Sequence, residues 1–294
     1  RVIPGFVLAM AASVALAQGP GGYPNKPVRV VLPAAPGSLT DPVGRIVSEE
    51  LGKRLGQSAV IENRPGAGGI IGAETAAKSA PDGYTILLVD ALHIVSPIFN
   101  RNTLFDPVKD FAGITRLASA PLYLIAHPDV PAKTVKEVID LAKAQPGKLF
   151  YASSGNGSAQ HLAAELFKLR TGIDMIHVPY KSAAEAATGI LGGQVYCGFG
   201  NLNVMLPHIR AGRVRALGIS STQRSTVAPD IPTIAEAALP GFDASNWMGM
   251  FAPGKTPPRI VEFIQREVAV LVKDKEIGAR MLTLGFEPTG TTPA

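Results

Sequence analysis

The chain has 294 residues, a formal net charge of +5 and only 17% charged residues. That length accommodates two lobes of ordinary domain size, and no Lys/Arg run exceeds a pair, which excludes the clustered basic stripe of a nucleic-acid binder. The single cysteine, Cys197, cannot form an intramolecular disulfide and reads as a buried hydrophobe within the apolar run 195–199.

Arg1 precedes an uncharged apolar run, 2–17, that ends Ala15-Leu16-Ala17 before Gln18-Gly19-Pro20. This pattern predicts a secretory signal peptide cut after Ala17. Interrupted by Pro4 and Gly5, the run is short for a membrane span of roughly 20 residues. Beyond residue 24, strand-like runs are expected at 28–32, 60–62, 85–89, 122–126, 149–152, 175–178, 195–199, 214–220 and 246–252. Helix-like stretches fall at 42–55, 70–79, 134–144, 160–170, 183–192, 203–211, 232–238, 257–272 and 275–284. Short apolar runs alternating with helices argue for an α/β fold built on parallel sheets. Asp41-Pro42 reads as an N-cap followed by proline in the first helical turn, and Thr134 as the cap of a helix stopped by Pro146-Gly147.

Two loops stand out chemically. Ser153-Ser154-Gly155-Asn156-Gly157-Ser158 links a strand-like run to a helix start, and Pro36-Gly37-Ser38-Leu39-Thr40-Asp41 does the same near the N-terminal end. The first turn of a helix has unpaired N–H groups and the positive end of the macrodipole, so each loop is a receptor for an anion. Two such loops, far apart in the chain, suggest one anion held between two lobes.

Other chemistries fit poorly. In the Gly-rich stretch 65–72, the dinucleotide register starting at Gly66 places Ile71 where a glycine is needed, and no Walker lysine is present. This stretch reads as a tight turn packed on the sheet. The five histidines (His93, His127, His161, His177 and His208) lack metal-ligand spacing, so no metal site is expected. No G-x-S-x-G elbow frames a serine, and the pair Ser158/His161 has no orienting third group. Neither enzyme chemistry nor a cofactor is expected.

An ordered set of short motifs is more specific. It comprises Tyr23-Pro24-Asn25-Lys26-Pro27, Glu62-Asn63-Arg64-Pro65-Gly66-Ala67-Gly68-Gly69, Ala80-Pro81-Asp82-Gly83-Tyr84-Thr85 and Tyr151-Ala152-Ser153-Ser154-Gly155-Asn156-Gly157. His177-Val178-Pro179-Tyr180-Lys181, Leu191-Gly192-Gly193-Gln194-Val195, Leu206-Pro207-His208-Ile209 and Leu239-Pro240-Gly241-Phe242 follow. With these the chain resembles the substrate-binding proteins of tripartite tricarboxylate transporters, the Bug family of bacterial solute receptors. The resemblance implies a two-lobed periplasmic binding protein (type II-like), each lobe a mostly parallel sheet flanked by helices and hinged by crossover strands. It implies one lobe from 23–121 with 244–294 and another from 122–243. A short last helix is expected beyond residue 294.

The same resemblance implies a small organic carboxylate gripped by both lobes and passed to the membrane components of the transporter. The protein is then expected to be a periplasmic monomer without nucleic-acid partners. Ligand contacts map onto Gly37, Ser38, Thr40 and Asp41 in the first lobe, with Asp90 and His93 after the third strand. In the second lobe they map onto Ser154, Gly155, Asn156, Gly157, Ser158 and His161, with Tyr180, Lys181, Ser182 and Asn201. Capping competes with ligand contact for each side chain, Asp41 above all. Three departures bear on the ligand: Ser38-Leu39 make the first loop bulkier, Asp90 and His93 replace a stretch more often small and hydroxylic, and Gly200 stands where many members have aspartate. Losing that aspartate enlarges the cleft and removes a partner for an ammonium group, which favours a ligand without an amino group unless Asp90 supplies the compensating charge. A receptor presenting its ligand to a sensor kinase shares every one of these features. A hydrolase on the same lobes would need an acid/base constellation.

Overall fold

The computed structural model describes residues 19–38, 40–100 and 102–293. The expected signal peptide, 1–17, and Leu39 of the first loop lie outside the described residues.

In chain order the first elements are β1 (Val28–Leu32), α1 (Asp41–Leu55), β2 (Ala59–Asn63), α2 (Ile70–Ala77), β3 (Thr85–Asp90), α3 (Leu92–Phe99) and β4 (Phe111–Ala120). Then come β5 (Leu122–Ala126), α4 (Val135–Ala144), β6 (Leu149–Ser153), α5 (Ala159–Thr171), β7 (Met175–Pro179) and α6 (Ala183–Leu191). They are followed by β8 (Cys197–Asn201), α7 (Leu202–Arg210), β9 (Arg215–Ile219) and α8 (Ile234–Ala237). Last are β10 (Asn246–Pro253), α9 (Pro258–Val272), α10 (Lys275–Thr283) and β11 (Glu287–Pro288).

The strands form two sheets, one ordered β11-β4-β10-β3-β1-β2 and the other β7-β6-β8-β5-β9. Parallel pairing, expected for most of each sheet, is found in β2-β1-β3 and β7-β6-β8. The crossing strands run the other way: β10 is antiparallel to β3 and β4, and β5 to β8 and β9. The reversal follows from connectivity. A chain that leaves one sheet and later returns to it need not make the right-handed helical crossover that a parallel neighbour requires.

Helices cover both faces of each sheet, so the central strands are apolar on both sides. Val28, Val30 and Leu32 of β1 pack with Val43, Val47, Leu51 and Leu55 of α1, while Val31 faces Ile70 and Ala73 of α2. The α1 residues recur every four positions on one helix face, and burying each contributes roughly 1.5–3 kcal/mol. In the second sheet Leu124 and Tyr151 face α4 and α5, and Tyr123, Ile125 and Ala152 face α6 and α7. Cys197 is buried in the same core, and burial pushes its thiol up to about 12.

The sheets join where three segments meet at one hydroxyl. Ser220, fully buried, accepts a hydrogen bond from the Leu122 N–H at 2.9 Å and donates to the Ala244 carbonyl at 3.2 Å. Its backbone donates to the Leu122 carbonyl and accepts from the Ala244 N–H, at 2.8 and 2.9 Å. Ser220→Ala leaves the buried Leu122 N–H without the hydroxyl that accepts from it. It should lower the unfolding free energy by about 1–3 kcal/mol, measured as a reduced denaturant midpoint at constant slope; an unchanged midpoint would remove the hydroxyl from the joint.

Candidate functional site

Both small-residue loops leave the C-terminal end of a parallel strand and enter a helix start, as open α/β sheets place their ligand sites. Their local chemistry differs. In the first loop, α1 begins at Asp41 with Thr40 in the capping position, one residue earlier than the sequence pattern suggested. The Asp41 carboxylate turns back instead: Oδ2 accepts from the Gly37 N–H at 2.9 Å and from Arg45 at 3.0 Å, and Oδ1 accepts from Asn63 at 3.0 Å. Burial alone would raise the Asp41 carboxyl, but these bonds outweigh it and hold the pKa below the usual carboxylate range. Gly37 has φ +77°, the left-handed conformation that lets its N–H point at the carboxylate. Asp41 and Gly37 thus brace the loop internally. Thr40 is buried on its inner wall, and the Ser38 hydroxyl is buried without a hydrogen-bond partner among the described residues.

The second loop supplies its own acceptors. The Ser154 N–H donates to Gln160 Oε1 at 2.8 Å, Gly155 N–H to Ser153 Oγ at 3.1 Å, and Gly157 N–H to His161 Nδ1 at 3.1 Å. The Ser158 N–H donates to the Gly155 carbonyl at 3.2 Å, and its hydroxyl caps α5 by accepting from the His161 N–H. The N–H groups of Asn156, Ala159 and Gln160 have no acceptor among the described residues. The donors still open to an anion are therefore the loop tip and the first helical turn, whereas the Gly157 amide already has an acceptor. Gln160, buried, also donates to Asn201 Oδ1 at 3.0 Å and so couples the loop to the end of β8.

Behind this loop lies a stacked polar column. The His161 ring lies 4.3 Å from that of His177, which stacks at 4.9 Å on Tyr151, whose hydroxyl donates to Glu165 at 2.5 Å. His177 Nε2 is 2.6 Å from Ser153 Oγ. Burial, then the neighbouring His161, lowers the His177 pKa, with Glu165 opposing and Lys168 reinforcing.

The remaining expected residues separate. Tyr180 packs its ring against Gly189, where an added Cβ would meet the phenol oxygen at 2.2 Å. Ser182 caps α6 by accepting from the Glu185 N–H, and the exposed Lys181 uses its backbone N–H on the Glu185 carboxylate. Their positions suit the second lobe's own packing. Gly200 does not enlarge the cleft, because a Cβ there would lie 2.7 Å from Met205 Cγ: the methionine fills the space an aspartate would need.

Asp90 and His93 line a concavity of about 260 Å³ beside the first loop, walled also by Thr40, Pro65, Gly66 and Gly69. The Gly-rich turn was read only as close packing; it packs closely and also forms this wall. Gly72 shows the packing role, since a Cβ would lie 2.8 Å from Pro33 Cβ. Among the described residues, no group of His, Cys, Asp or Glu is arranged to hold a metal ion, and no helix is long and apolar enough to cross a membrane.

Two measurements probe this geometry. His161→Phe keeps an aromatic ring against His177 but removes the acceptor for Gly157, so the Gly157 amide should exchange hydrogen about two- to tenfold faster, the equivalent of one net hydrogen bond. An unchanged rate would contradict the bond. His177 titrates below its ordinary value near 6.5, so the unfolded state binds more protons and stability falls as pH drops through and below that value. His177→Gln should show a shallower loss of melting temperature between about pH 7 and 5; a parallel loss would mean that His177 does not couple to folding.

The family model for "Tripartite tricarboxylate transporter family receptor" matches residues 43–290. The protein BugT of Bordetella pertussis is 35% identical over 289 residues, covering 98% of this chain and 89% of its own length. A solved R. palustris protein with adipate is 33% identical with a TM-score of 0.72, over 92% of this chain and 91% of its own. MatC from Rhodopseudomonas palustris with bound malate is 32% identical with a TM-score of 0.70, over 90% and 91%. With two sheets flanked by helices in the two-lobed periplasmic binding fold, the chain belongs to the tripartite tricarboxylate transporter receptor family and is a solute receptor rather than an enzyme.

Proposed function

We propose that the protein captures a small organic carboxylate between its lobes in the periplasm and delivers it to the membrane components of a tripartite transporter. The observation that carries this reading is the second loop. Its tip and the first turn of α5 present the N–H groups of Asn156, Ala159 and Gln160 without internal acceptors, at the positive end of a helix of 13 residues. The related proteins solved with adipate and with malate support a carboxylate as the anion. The lobes are taken as 23–121 with 244–294 and as 122–243, turning about the segments joined by Ser220. Export with cleavage near Ala17 and action as a monomer belong to the same reading.

Ligand that touches both lobes stabilises the closed arrangement by its differential affinity for it. Addition of a carboxylate that raises the melting temperature should therefore reduce the radius of gyration in solution scattering, and the same carboxylate should be recovered chemically unchanged. A scattering profile unaltered by a confirmed ligand would count against closure. Conversion of the ligand would remove the receptor reading.

A further inference from the structure

The concavity at the end of β3 has an unusual polar content for a receptor of anions. Among the described residues its side-chain polar groups are Thr40, Asp90 and His93, with no lysine or arginine. Asp90 Oδ1 accepts from the Leu92 N–H at 3.0 Å, its own backbone N–H also favours the carboxylate, and no side chain among the described residues bonds to it. His93 is buried among Phe105, Phe111 and Phe251, with ring centroids 5.8, 4.9 and 5.5 Å away. His93 Nε2 lies 3.1 Å from the Pro107 carbonyl, which accepts only, so the proton sits on Nε2 and Nδ1 is left as a buried, unpartnered acceptor. The nearby guanidiniums already have acidic partners within the lobe: Arg45 on Asp41, and Arg64 on Glu62. The rest of the wall is apolar or glycine, such as Pro65, Gly66, Leu88 and Val89. An acid without a side-chain partner, in a wall that is otherwise mostly apolar and among the described residues holds no lysine or arginine, makes a subsite that repels a second ligand carboxylate and attracts a hydrogen-bond donor.

We infer that Asp90 selects the far end of the ligand, so that this receptor takes a carboxylate bearing an ammonium or hydroxyl group on a short apolar stem, in preference to a dicarboxylate. The inference rests on the carboxylate-receptor reading above and refines it. The carboxylate docks at the N–H groups of the second loop, and the donor docks in the first lobe. Burial raises the Asp90 carboxyl, opposed by the bond from Leu92, and the same burial holds His93 neutral; an ammonium arriving beside Asp90 reverses the penalty on its charge. Thr40, on the same wall, adds a hydroxyl that can accept from the ligand's donor.

Calorimetry on the full chain decides it, with butyrate, γ-hydroxybutyrate, γ-aminobutyrate and succinate, and the same four end groups on longer stems. The native protein should bind the best amino- or hydroxy-acid at least about tenfold more tightly than the dicarboxylate of equal length, a difference near 1.4 kcal/mol. Asp90→Asn keeps the shape and the Leu92 bond but removes the charge. It should weaken the ammonium ligand by about tenfold and strengthen the dicarboxylate, while its melting temperature without ligand reports that it is folded. A native preference for dicarboxylates, or a ratio unmoved by Asp90→Asn, would overturn the inference and leave the receptor reading standing. Binding of none of these carboxylates by folded protein would fall on the receptor reading itself and on the inference with it.

Discussion

One buried hydroxyl bonds the two places where the chain passes between the sheets. Ser220 is hydrogen-bonded through side chain and backbone to Leu122 and to Ala244, residues close in space and far apart in sequence. The joint therefore has a fixed set of bonded partners, and bending is confined to the few backbone torsions on either side of it. A loose junction would let the loops approach in many orientations and dilute any grip on a small ligand. The ends of β4, β5, β9 and β10 are all tethered near this point, so few backbone torsions lie free between the two sheets.

The two loops share a position in their sheets and differ in electrostatics. The first is braced by an acid: Asp41 draws in Gly37, Arg45 and Asn63, so its negative charge is answered before any ligand arrives. The second carries no acid among its residues and couples its amides to neutral acceptors, Gln160 and His161. Net attraction for an anion is accordingly concentrated on the second loop. The first lobe offers Asp90 and an apolar wall instead. The asymmetry gives the site a direction, in which one end of a solute is treated differently from the other.

Much of the fold was legible because its helices carry their own signals. Thr134, Ser158 and Ser182 each accept a hydrogen bond from the N–H three residues on, and Gly56 and Gly172 end their helices in the left-handed conformation. Three elements escaped, one of them the two-residue β11. In β4, Thr115, Arg116 and Ser119 interrupt the apolar pattern, and its pairing with β10 is irregular at two places. In α3, Pro97 sits inside the helix, where propensity argues against one. The antiparallel crossing strands also escaped, since strand direction is set by a return of the chain from the other sheet, which local sequence does not encode. At the site, the loops and Asp90 were visible as residue types. What was not visible is which amides are already bonded: that depends on Gln160 and His161 folding back over a turn, and on Met205 filling the space beside Gly200.

The way Gln160 and His161 close over the second loop bears on where an anion can meet it. Each side chain occupies one amide of the loop, at Ser154 and at Gly157, that would otherwise be open to an anion. The donors left open are those of Asn156, Ala159 and Gln160. The two side chains therefore narrow the face on which a negative charge meets N–H groups, and they set its place on the loop before any solute arrives.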